Sequence, residues 1–354
     1  MADAAALRVE ALDPAEPRAA AEHDAFVRAH PEGTPFHLSA WSRAIARALG
    51  HRPYLLVARA PGGAIAGVLP LMHLRHPLFG QNLVSTGFAV YGGPLAEGAH
   101  AHGALDAAAW DVAQRLGVKS LEYRNRARLR PDWPAKSDVY ATFIRAIEPT
   151  TEANLKAIPR KQRADVRKAI DSELEVRIGR SAADLATHFA AYAESVRNLG
   201  TPIFPPALFR CVAEAFGEDA EVLSVHWRGR PVASVFSLYH GQTVLPYWGG
   251  GTAEAVPSRA NLMMYWALME HARGRGCTSF DFGRSKVGTG PYAFKKNWGF
   301  EPSPLHYEFR LAEGAPMPDL NPNSPKYRAM TRIWARLPLW LANRLGPPLA
   351  RGLG

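Results

Sequence analysis

The sequence predicts a mixed α/β protein whose two halves follow the same order of elements. Strand and helix signals alternate in both halves, and each half contains two paired strands, a Gly-rich crossover, a long helix and a further strand. In a chain of 354 residues, a hydrophobic content of 47% is enough for two cores of ordinary size. A shared order without shared residues is typical of a duplicated fold, so we expect two similar units in series.

The first half, from about residue 35 to 145, carries two helix signals and four strand signals. Apolar residues recur at helical spacing over 41–49 and 104–116, and strand patterns cover 54–59, 64–74, 120–123 and 140–147. Pro61-Gly62-Gly63 separates the first two strands and predicts a hairpin turn between them.

The second half begins with a basic helix over 155–170. Further helices are predicted at 182–199, 206–216 and 258–273, and strands at 174–178, 220–227, 231–239, 243–248, 279–282 and 305–310. The glycines Gly92-Gly93 and Gly249–Gly251 occupy matching places in the two halves, where we expect tight turns that open each sheet.

A Pro- and Asn-rich segment, 313–325, predicts a linker, and a basic amphipathic helix follows it. Arg328, Arg332 and Arg336 form an i, i+4 row beside an apolar stripe that includes Trp334, Leu337, Trp340 and Leu341. Six basic residues and no acidic residue follow Asp319. Helices of this type bind anionic membranes, so we expect 326–345 to lie on a membrane; docking on its own domain is the alternative. The linker predicts that residues 326–354 can be removed without unfolding the rest.

Composition narrows the classes of protein that the chain could form. The net charge of +10 favours anionic partners such as phosphate-bearing substrates, anionic lipid or RNA. Cys211 and Cys277 cannot form a disulfide framework, the histidines form no metal-ligand pattern, and no metal is expected. The N-terminal residues do not match a signal peptide, and no apolar run reaches the roughly 20 residues of a membrane span. These features predict a cytoplasmic protein.

The most informative segment is 280–300, FDFGRSKVGTGPYAFKKNWGF, where a short strand leads into a Gly-broken loop. Gly283, Gly288 and Gly290 allow backbone N–H groups to point at one spot, and the loop also carries Arg284, Ser285 and Lys286. Such a loop suits an anion; a surface loop with solvated lysines is the alternative.

Tyr292-Ala-Phe294-Lys295, followed by Trp298-Gly299-Phe300, resembles the C-terminal motif of the FemAB family of tandem GNAT-fold acyl and aminoacyl transferases. Residues 158–167, 247–251, 261–266 and 280–307 are similar, in that order, to FemAB-like proteins found with exosortase (PEP-CTERM) exopolysaccharide systems. The resemblance implies two tandem GNAT-like domains, at 1–150 and 151–312, with the site in the second and the linker and helix at 313–354.

The resemblance also implies roles for individual residues. Lys295 takes the place of the family's motif lysine, which offsets negative charge at the reacting ester, although Lys296 leaves the register open by one. Asp281, by strand alternation, either reaches the site as a base, pairs with Arg284 or caps the loop. We expect Lys295, Tyr292, Arg284 and Asp281 to meet in one cleft.

Substrate-binding residues are predicted on three further segments. Ser285, Lys286, Phe294 and Lys296 belong to the motif itself. Tyr247 and Trp248 alternate along a strand, so one ring is expected inside and the other available for stacking. Arg160, Arg163 and Arg167 lie at i, i+3 and i+7 of the basic helix, where they suit a phosphate or an RNA backbone, or simply face solvent.

The predicted function is acyl or aminoacyl transfer to an amine or hydroxyl of a cell-envelope or exopolysaccharide precursor at the cytoplasmic face of the inner membrane. No tightly bound cofactor is expected, and the donor stays open between acyl-CoA and aminoacyl-tRNA. The pyrophosphate signature of acetyl-CoA enzymes is missing before residue 258, and no coiled-coil arm for tRNA is visible. The alternative is a catalytically silent, membrane-associated or RNA-binding accessory protein.

Overall fold

A computed structural model describes residues 7–318 and 325–354. The chain divides into two compact units. The first comprises Met1–Asp138, Leu305–Leu320 and Arg351–Gly354, and the second comprises Val139–Pro304 and Asn321–Ala350.

Within the described residues, the elements follow the predicted alternation. The helices are α1 (Pro17–Ala29), α2 (Ser39–Leu49), α3 (Gly98–Leu116), α4 (Thr151–Ala157), α5 (Arg160–Ile170), α6 (Ala182–Asn198), α7 (Pro206–Phe216), α8 (Ala260–Gly274), α9 (Gly290–Asn297), α10 (Pro325–Trp334) and α11 (Leu339–Ala350). The strands are β1 (Arg8–Leu12), β2 (Arg52–Arg59), β3 (Ile65–His76), β4 (Gly80–Ser85), β5 (Leu95–Ala96), β6 (Ser120–Asn125), β7 (Ala135–Lys136), β8 (Tyr140–Ala146), β9 (Leu174–Gly179), β10 (Ala220–Trp227), β11 (Arg230–His240), β12 (Thr243–Gly251), β13 (Ser279–Asp281), β14 (Ser285–Lys286), β15 (Pro302–Pro304) and β16 (His306–Leu311).

Each unit contains one mixed sheet. The first has the order β1-β2-β3-β4-β6-β16-β7, with β5 also paired to β3, and the second has the order β14-β8-β13-β12-β11-β10-β9, with β15 also paired to β8. In both, antiparallel strands lead to one short parallel pair joined by a long helix: β4 and β6 through α3, and β12 and β13 through α8. This repeat confirms the predicted pair of similar units.

Each unit contains one strand that the sequence analysis placed in the other half of the chain. Strand β8, which precedes the second unit's helices, pairs with β13, whereas β16, near the end of the chain, pairs with β6. The structure therefore divides the chain after Asp138 and after Pro304, and not at the predicted 150 and 312. Strand pairing is long-range, so the order of elements alone does not reveal this exchange.

Two helix predictions need correction. The predicted helix 155–170 is two helices, because Pro159 interrupts it between α4 and α5. The C-terminal helix is also two, since α10 ends at Trp334 and α11 starts after Pro338. Of the predicted Arg row, Arg328 lies outside the residues whose side chains are described, and so does Asp319 at the linker. None of the described helices combines the length and the hydropathy that crossing a bilayer requires.

Gly249–Gly251 do not form the predicted turn. They lie in extended backbone and pair with Val235, Ser234 and Ala233 of β11. A Cβ on Gly250 would stand 2.4 Å from the Ser195 hydroxyl of α6, and one on Gly249 would stand 3.0 Å from the Tyr265 hydroxyl of α8. The glycines therefore let helices approach both faces of β12 closely.

Candidate active site

The candidate site begins where β13 ends, at Asp281. Its carboxylate accepts the backbone N–H of Gly283 at 2.8 Å, and the Thr142 hydroxyl of β8 lies 3.5 Å away. Gly283 has a φ of 68°, which a glycine adopts without strain. Of the three roles that the sequence left open for Asp281, this contact is that of a residue that caps the loop.

Lys295 points inward from α9 and is buried. Its ammonium donates to the carbonyl oxygens of Gly283 at 2.9 Å and Arg284 at 3.1 Å. It also lies 5.4 Å from the ring centre of Phe143 and 5.5 Å from that of Phe282. Its neighbour Lys296 is exposed on the other side of the helix. Of the two adjacent lysines, Lys295 is therefore the one that points inward.

Burial dominates the electrostatics of this pair. It raises the pKa of the Asp281 carboxyl to about 7, against the opposing effects of the Gly283 N–H and the Lys295 charge. It lowers the pKa of Lys295 to about 7, against the attraction of Asp281 and with the help of Arg284. Near neutral pH both groups can therefore gain or lose a proton, which is a common property of catalytic groups.

Aromatic rings surround the lysine. Tyr292 packs edge-on against Phe143 with ring centres 5.2 Å apart, and Tyr265 packs edge-on against Phe282 at 4.7 Å. Phe294 contacts the rings of Tyr265, Phe282 and Trp298. Phe143 and Phe282, the two rings beside the Lys295 ammonium, belong to this cluster, and burial is the main cause of the lowered pKa of Lys295.

Arg145 is a residue that the sequence analysis missed. It lies on β8, and its guanidinium donates to the Trp298 carbonyl at 2.9 Å and the Ala157 carbonyl at 3.3 Å, over the ring of Phe300. Desolvation lowers the pKa of this arginine. Arg145 thus fixes the C-terminal ends of α9 and α4, and the only signal in the sequence is a charged residue inside an apolar strand.

The loop residues predicted to bind substrate lie beside β8. The Arg284 guanidinium is 4.6 Å from the ring centre of Tyr140, and Ser285 and Lys286 pair with Ala141 and Tyr140. The Ser285 hydroxyl is buried and has no hydrogen-bond partner among the described residues.

Of the predicted pair, Trp248 is the inner ring and Tyr247 the more exposed one, but a bulge rather than regular alternation separates them. The register of β12 against β11 shifts here, because Trp248 pairs with Phe236 and Pro246 with Ser237, leaving Tyr247 as the extra residue. The two rings therefore touch, with centres 4.7 Å apart. Trp248 is buried against Phe209 and Phe236, and Tyr247 is half-buried. A bulge of this kind re-aims side chains, and often does so beside active sites.

The three arginines of α5 separate into two groups. Arg163 donates to the carbonyls of Ile158 at 3.0 Å and Lys156 at 2.9 Å, so it caps the end of α4. Arg160 and Arg167 are exposed. The structure therefore gives Arg163 a structural contact and leaves Arg160 and Arg167 on the surface.

The first unit contains a separate small open pocket of about 30 Å³, and its lining includes His37, Tyr91, Gly93, Asn125 and Arg126. The buried Tyr91 hydroxyl has no hydrogen-bond partner within the part of the chain that the structure describes. The Arg126 guanidinium lies 5.8 Å from the centre of the same ring. No sequence motif indicated this cavity.

Among residues 7–318 and 325–354, no group of three or more His, Cys, Asp or Glu side chains could hold a metal ion. Cys211 and Cys277 are both buried as free thiols.

Comparisons with known proteins agree with this architecture. Residues 160–296 match the family model described as an acetyltransferase (GNAT) domain, a range that includes Asp281 and Lys295. A search of curated protein sequences finds no significant match.

Solved structures resemble almost the whole chain. FemX superposes with a TM-score of 0.67 at 16% identity, over 92% of this chain and 100% of FemX. The C-terminal domain of a predicted lysylphosphatidylglycerol synthetase from Agrobacterium fabrum gives 0.54 at 11% identity, over 81% of this chain and 90% of that chain. A tandem GNAT protein of the clavulanic acid biosynthesis pathway gives 0.52 at 15% identity, over 88% of this chain and 100% of that chain.

These likenesses show the fold, and the family model identifies the domain that contains the candidate site. The protein has two tandem GNAT-like units, and the match over 160–296 supports the prediction that it is an acyltransferase.

Proposed function

We propose that this protein is an acyl- or aminoacyltransferase whose reaction takes place beside Lys295. The observation that carries the proposal is a buried lysine ammonium, held by the carbonyls of Gly283 and Arg284, inside the segment that matches a GNAT domain. Burying a lysine costs free energy because the ammonium loses its hydration, so buried lysines are found mainly where the charge has a function.

In the proposed reaction, an amine or hydroxyl of the acceptor attacks the acyl carbon of the donor, and negative charge develops on the carbonyl oxygen. The protonated Lys295 offsets that charge, and its burial strengthens the interaction relative to water. Ionised Asp281 is the candidate base for the proton of the attacking group. The bond from the acyl carbon to the donor's oxygen or sulfur then breaks.

The shifted pKa values predict how this reaction depends on pH. Activity is expected to fall below about 7 as Asp281 takes up a proton, and to fall above about 7 as Lys295 loses its proton. The expected profile is a narrow bell centred near neutrality, and it belongs to the pair because the two groups interact.

The donor is proposed from the charge of the residues near the site, and the acceptor from the resemblance to FemAB-like proteins. Arg284 and Lys286, with the exposed Arg160 and Arg167, suit the phosphates of an acyl-CoA or an aminoacyl-tRNA. The acceptor is proposed to be an exopolysaccharide or other envelope precursor, at the inner face of the membrane and in a PEP-CTERM setting.

The test uses two adjacent lysines as a matched pair. Purified protein would be incubated with acetyl-CoA, a long-chain acyl-CoA or a pool of aminoacyl-tRNAs, together with an envelope extract of the host, and products followed by mass spectrometry. Lys295→Met should lower the rate of product formation by roughly 10²–10³-fold, because one electrostatic donor is removed from the transition state. Lys296→Met changes the exposed neighbour and should stay within about twofold of the parent protein, a result that would remove Lys296 from the predicted substrate-binding residues.

The silent accessory protein is the competing function. It predicts that a deletion strain shows unchanged acylation of its glycan and lipid fractions, and that Lys295→Met restores the lost phenotype as well as the parent protein does. That pair of results would exclude the transferase, whereas altered acylation that only the parent protein restores would exclude the accessory role.

A further inference from the structure

Large apolar side chains are exposed on the two C-terminal helices. Ile333 on α10 is 66% exposed and Trp340 on α11 is 68% exposed, and Met330 and Leu345 are exposed as well. This set differs from the stripe predicted from helical spacing, because Trp334, Leu337 and Leu341 are only half-exposed. The break after Trp334 changes which residues face outward.

The opposite faces of these helices are packed within the second unit. On α11 the buried residues are Ala342, Gly346 and Ala350, and a Cβ on Gly346 would stand 2.8 Å from the Ile203 side chain. Leu339 packs against Ala193 and Val196 of α6. Trp340 and Arg344, one turn apart, face away from this packed side.

The apolar surface continues from α10 to the end of α6. Thr331 of α10 lies against Gly200, where an added Cβ would stand 2.2 Å from the threonine methyl group. The preceding residue, Leu199, is 62% exposed. We call the exposed set Leu199, Met330, Ile333, Trp340 and Leu345, with Arg332, Arg336 and Arg344, the α10–α11 surface.

The charge on this surface has one sign. Arg332, Arg336 and Arg344 are exposed, and residues 325–354 contain no Asp or Glu. A symmetric dimer through this surface would place the arginines of one copy against those of the other, which is unfavourable. An anionic lipid surface complements both the arginines and the apolar side chains between them.

We propose that the α10–α11 surface binds the protein to an anionic lipid bilayer. Ile333 and Trp340 enter the interface between headgroups and acyl chains, and the arginines contact lipid phosphates. This inference rests on the proposed function and deepens it by naming the surface that would hold the enzyme beside a membrane-borne acceptor. Binding itself requires no donor, no acceptor and no catalysis.

Sedimentation of the full chain with vesicles tests the proposal. Vesicles of phosphatidylglycerol and phosphatidylcholine in equal parts should bind the protein, and vesicles of phosphatidylcholine alone should bind it several-fold less. The double variant Ile333→Glu/Trp340→Glu should weaken binding by more than about tenfold, since each large apolar side chain contributes roughly that factor when it leaves water. Arg336→Ala/Arg344→Ala should weaken anionic binding by roughly fivefold per arginine.

Matched variants separate this surface from others. Leu78→Glu changes a leucine that is equally exposed in the first unit, and Arg160→Ala/Arg167→Ala removes exposed charge from α5; both should bind vesicles like the parent protein. Lys295→Met should also bind normally, so loss of the proposed catalysis and loss of the membrane surface have different signatures. Thermal unfolding by circular dichroism checks that each variant is folded.

Three results would overturn the proposal. The first is a parent protein that does not sediment with the anionic vesicles at low salt. The second is a folded Ile333→Glu/Trp340→Glu variant that binds like the parent. The third is light scattering that finds a dimer which this double variant dissociates, because the surface would then be an interface between copies of the chain.

Discussion

Backbone pairing between the two parallel strands stops early in both units, but the segments that come next differ. In the first unit the last pair is Val84 with Glu122, and in the second it is Val244 with Phe280. Beyond that point the first unit has a buried loop, 86–94, whose Gly92 and Gly93 amides return to the Arg124 carbonyl. In the second unit the corresponding strand, β12, continues to Gly251 in pairing with β11, and the other strand of the parallel pair, β13, ends at Asp281 and leads into the loop held by Lys295.

Side-chain hydrogen bonds hold the buried loop of the first unit in place. Five of its carbonyls accept hydrogen bonds from side chains, namely Gly87 from Trp41, Ala89 from Arg124, Val90 from Tyr307, Gly92 from Thr86 and Gly93 from His37. Two residues in it, Thr86 and Phe88, hold positive φ values of 50° and 64°. Such strain persists only where the surroundings enforce it, so this loop is a rigid scaffold.

The buried carboxylates of the two units differ in how many hydrogen bonds they accept. Glu308 of the first unit accepts from the Asn125 side chain and from the backbone N–H groups of Leu129 and Arg130. Asp281 of the second unit accepts one short backbone bond, and its pKa is raised by burial. A carboxylate with three donors stabilises a fold, whereas one with few donors remains able to take up a proton.

The largest expected effect concerns Glu308. Replacing Glu308 with Leu leaves three buried donors without an acceptor, so we expect the free energy of unfolding to fall by about 3–5 kcal/mol. Urea unfolding at pH 7 measures it. Glu175→Leu, which removes an exposed carboxylate that pairs with the exposed Arg177, is the control and should lose far less. Equal losses would contradict the contrast between the buried carboxylates.

Lys295→Met should change how stability depends on pH. The folded pKa of Lys295, about 7, lies below its unfolded value of 10.5, so the unfolded chain binds the extra proton between these values. The parent protein should therefore gain stability relative to Lys295→Met as pH rises from 7 to 10, and lose it again as pH falls through 7. Unfolding at pH 7, 8.5 and 10 checks the sign, with Lys296→Met expected to run parallel to the parent.

Asp281→Asn should behave in the opposite sense and by a smaller amount. Because its folded pKa of about 7 exceeds the unfolded value of 3.8, the stability that Asp281 contributes is full below 3.8 and is lost as pH rises through 7. At pH 8 the Asn variant should be more stable than the parent by about 1–2 kcal/mol, and at pH 4 nearly equal. An Asn variant that is less stable at pH 8 would mean that Asp281 has stronger partners than the structure shows.

The smallest effect concerns two tyrosines of the first unit. Tyr91→Phe removes a hydroxyl that has no partner among the described residues, so the free energy of unfolding should change by less than about 0.5 kcal/mol. Tyr307→Phe removes the bond to the Val90 carbonyl at 2.9 Å and should cost about 1 kcal/mol.

Local patterns were enough for the order of elements and for the two-unit fold, because amphipathic periodicity is local. They were also enough to select the segment that contains Lys295. They could not select Lys295 over Lys296, since that depends on which face α9 packs, nor could they reveal the bulge at Tyr247, which arises from pairing with β11. The role of Arg145 could not be predicted from local patterns because its partners, Ala157 and Trp298, lie on other elements.

Contacts of residues 326–354 with the rest of the chain argue against their predicted independence, and these contacts too are long-range. Helix α11 packs on α6, and residues Arg351–Gly354 belong to the first unit, where the His51 ring contacts the Arg351 carbonyl at 2.8 Å and Arg124 donates to the Gly354 carbonyl at 3.1 Å. A truncation would remove these contacts together with any membrane surface. Point substitutions on the α10–α11 surface avoid this loss.

The exchanged strand β16 has a consequence for how the chain is made. A ribosome releases residues 139–304 before β16, so the central strands of the second sheet can all pair while the first sheet still lacks β16 beside β6. The β6 edge of the first sheet therefore stays unpaired until residues 306–311 have been made, and an unpaired edge can pair with other chains in the meantime.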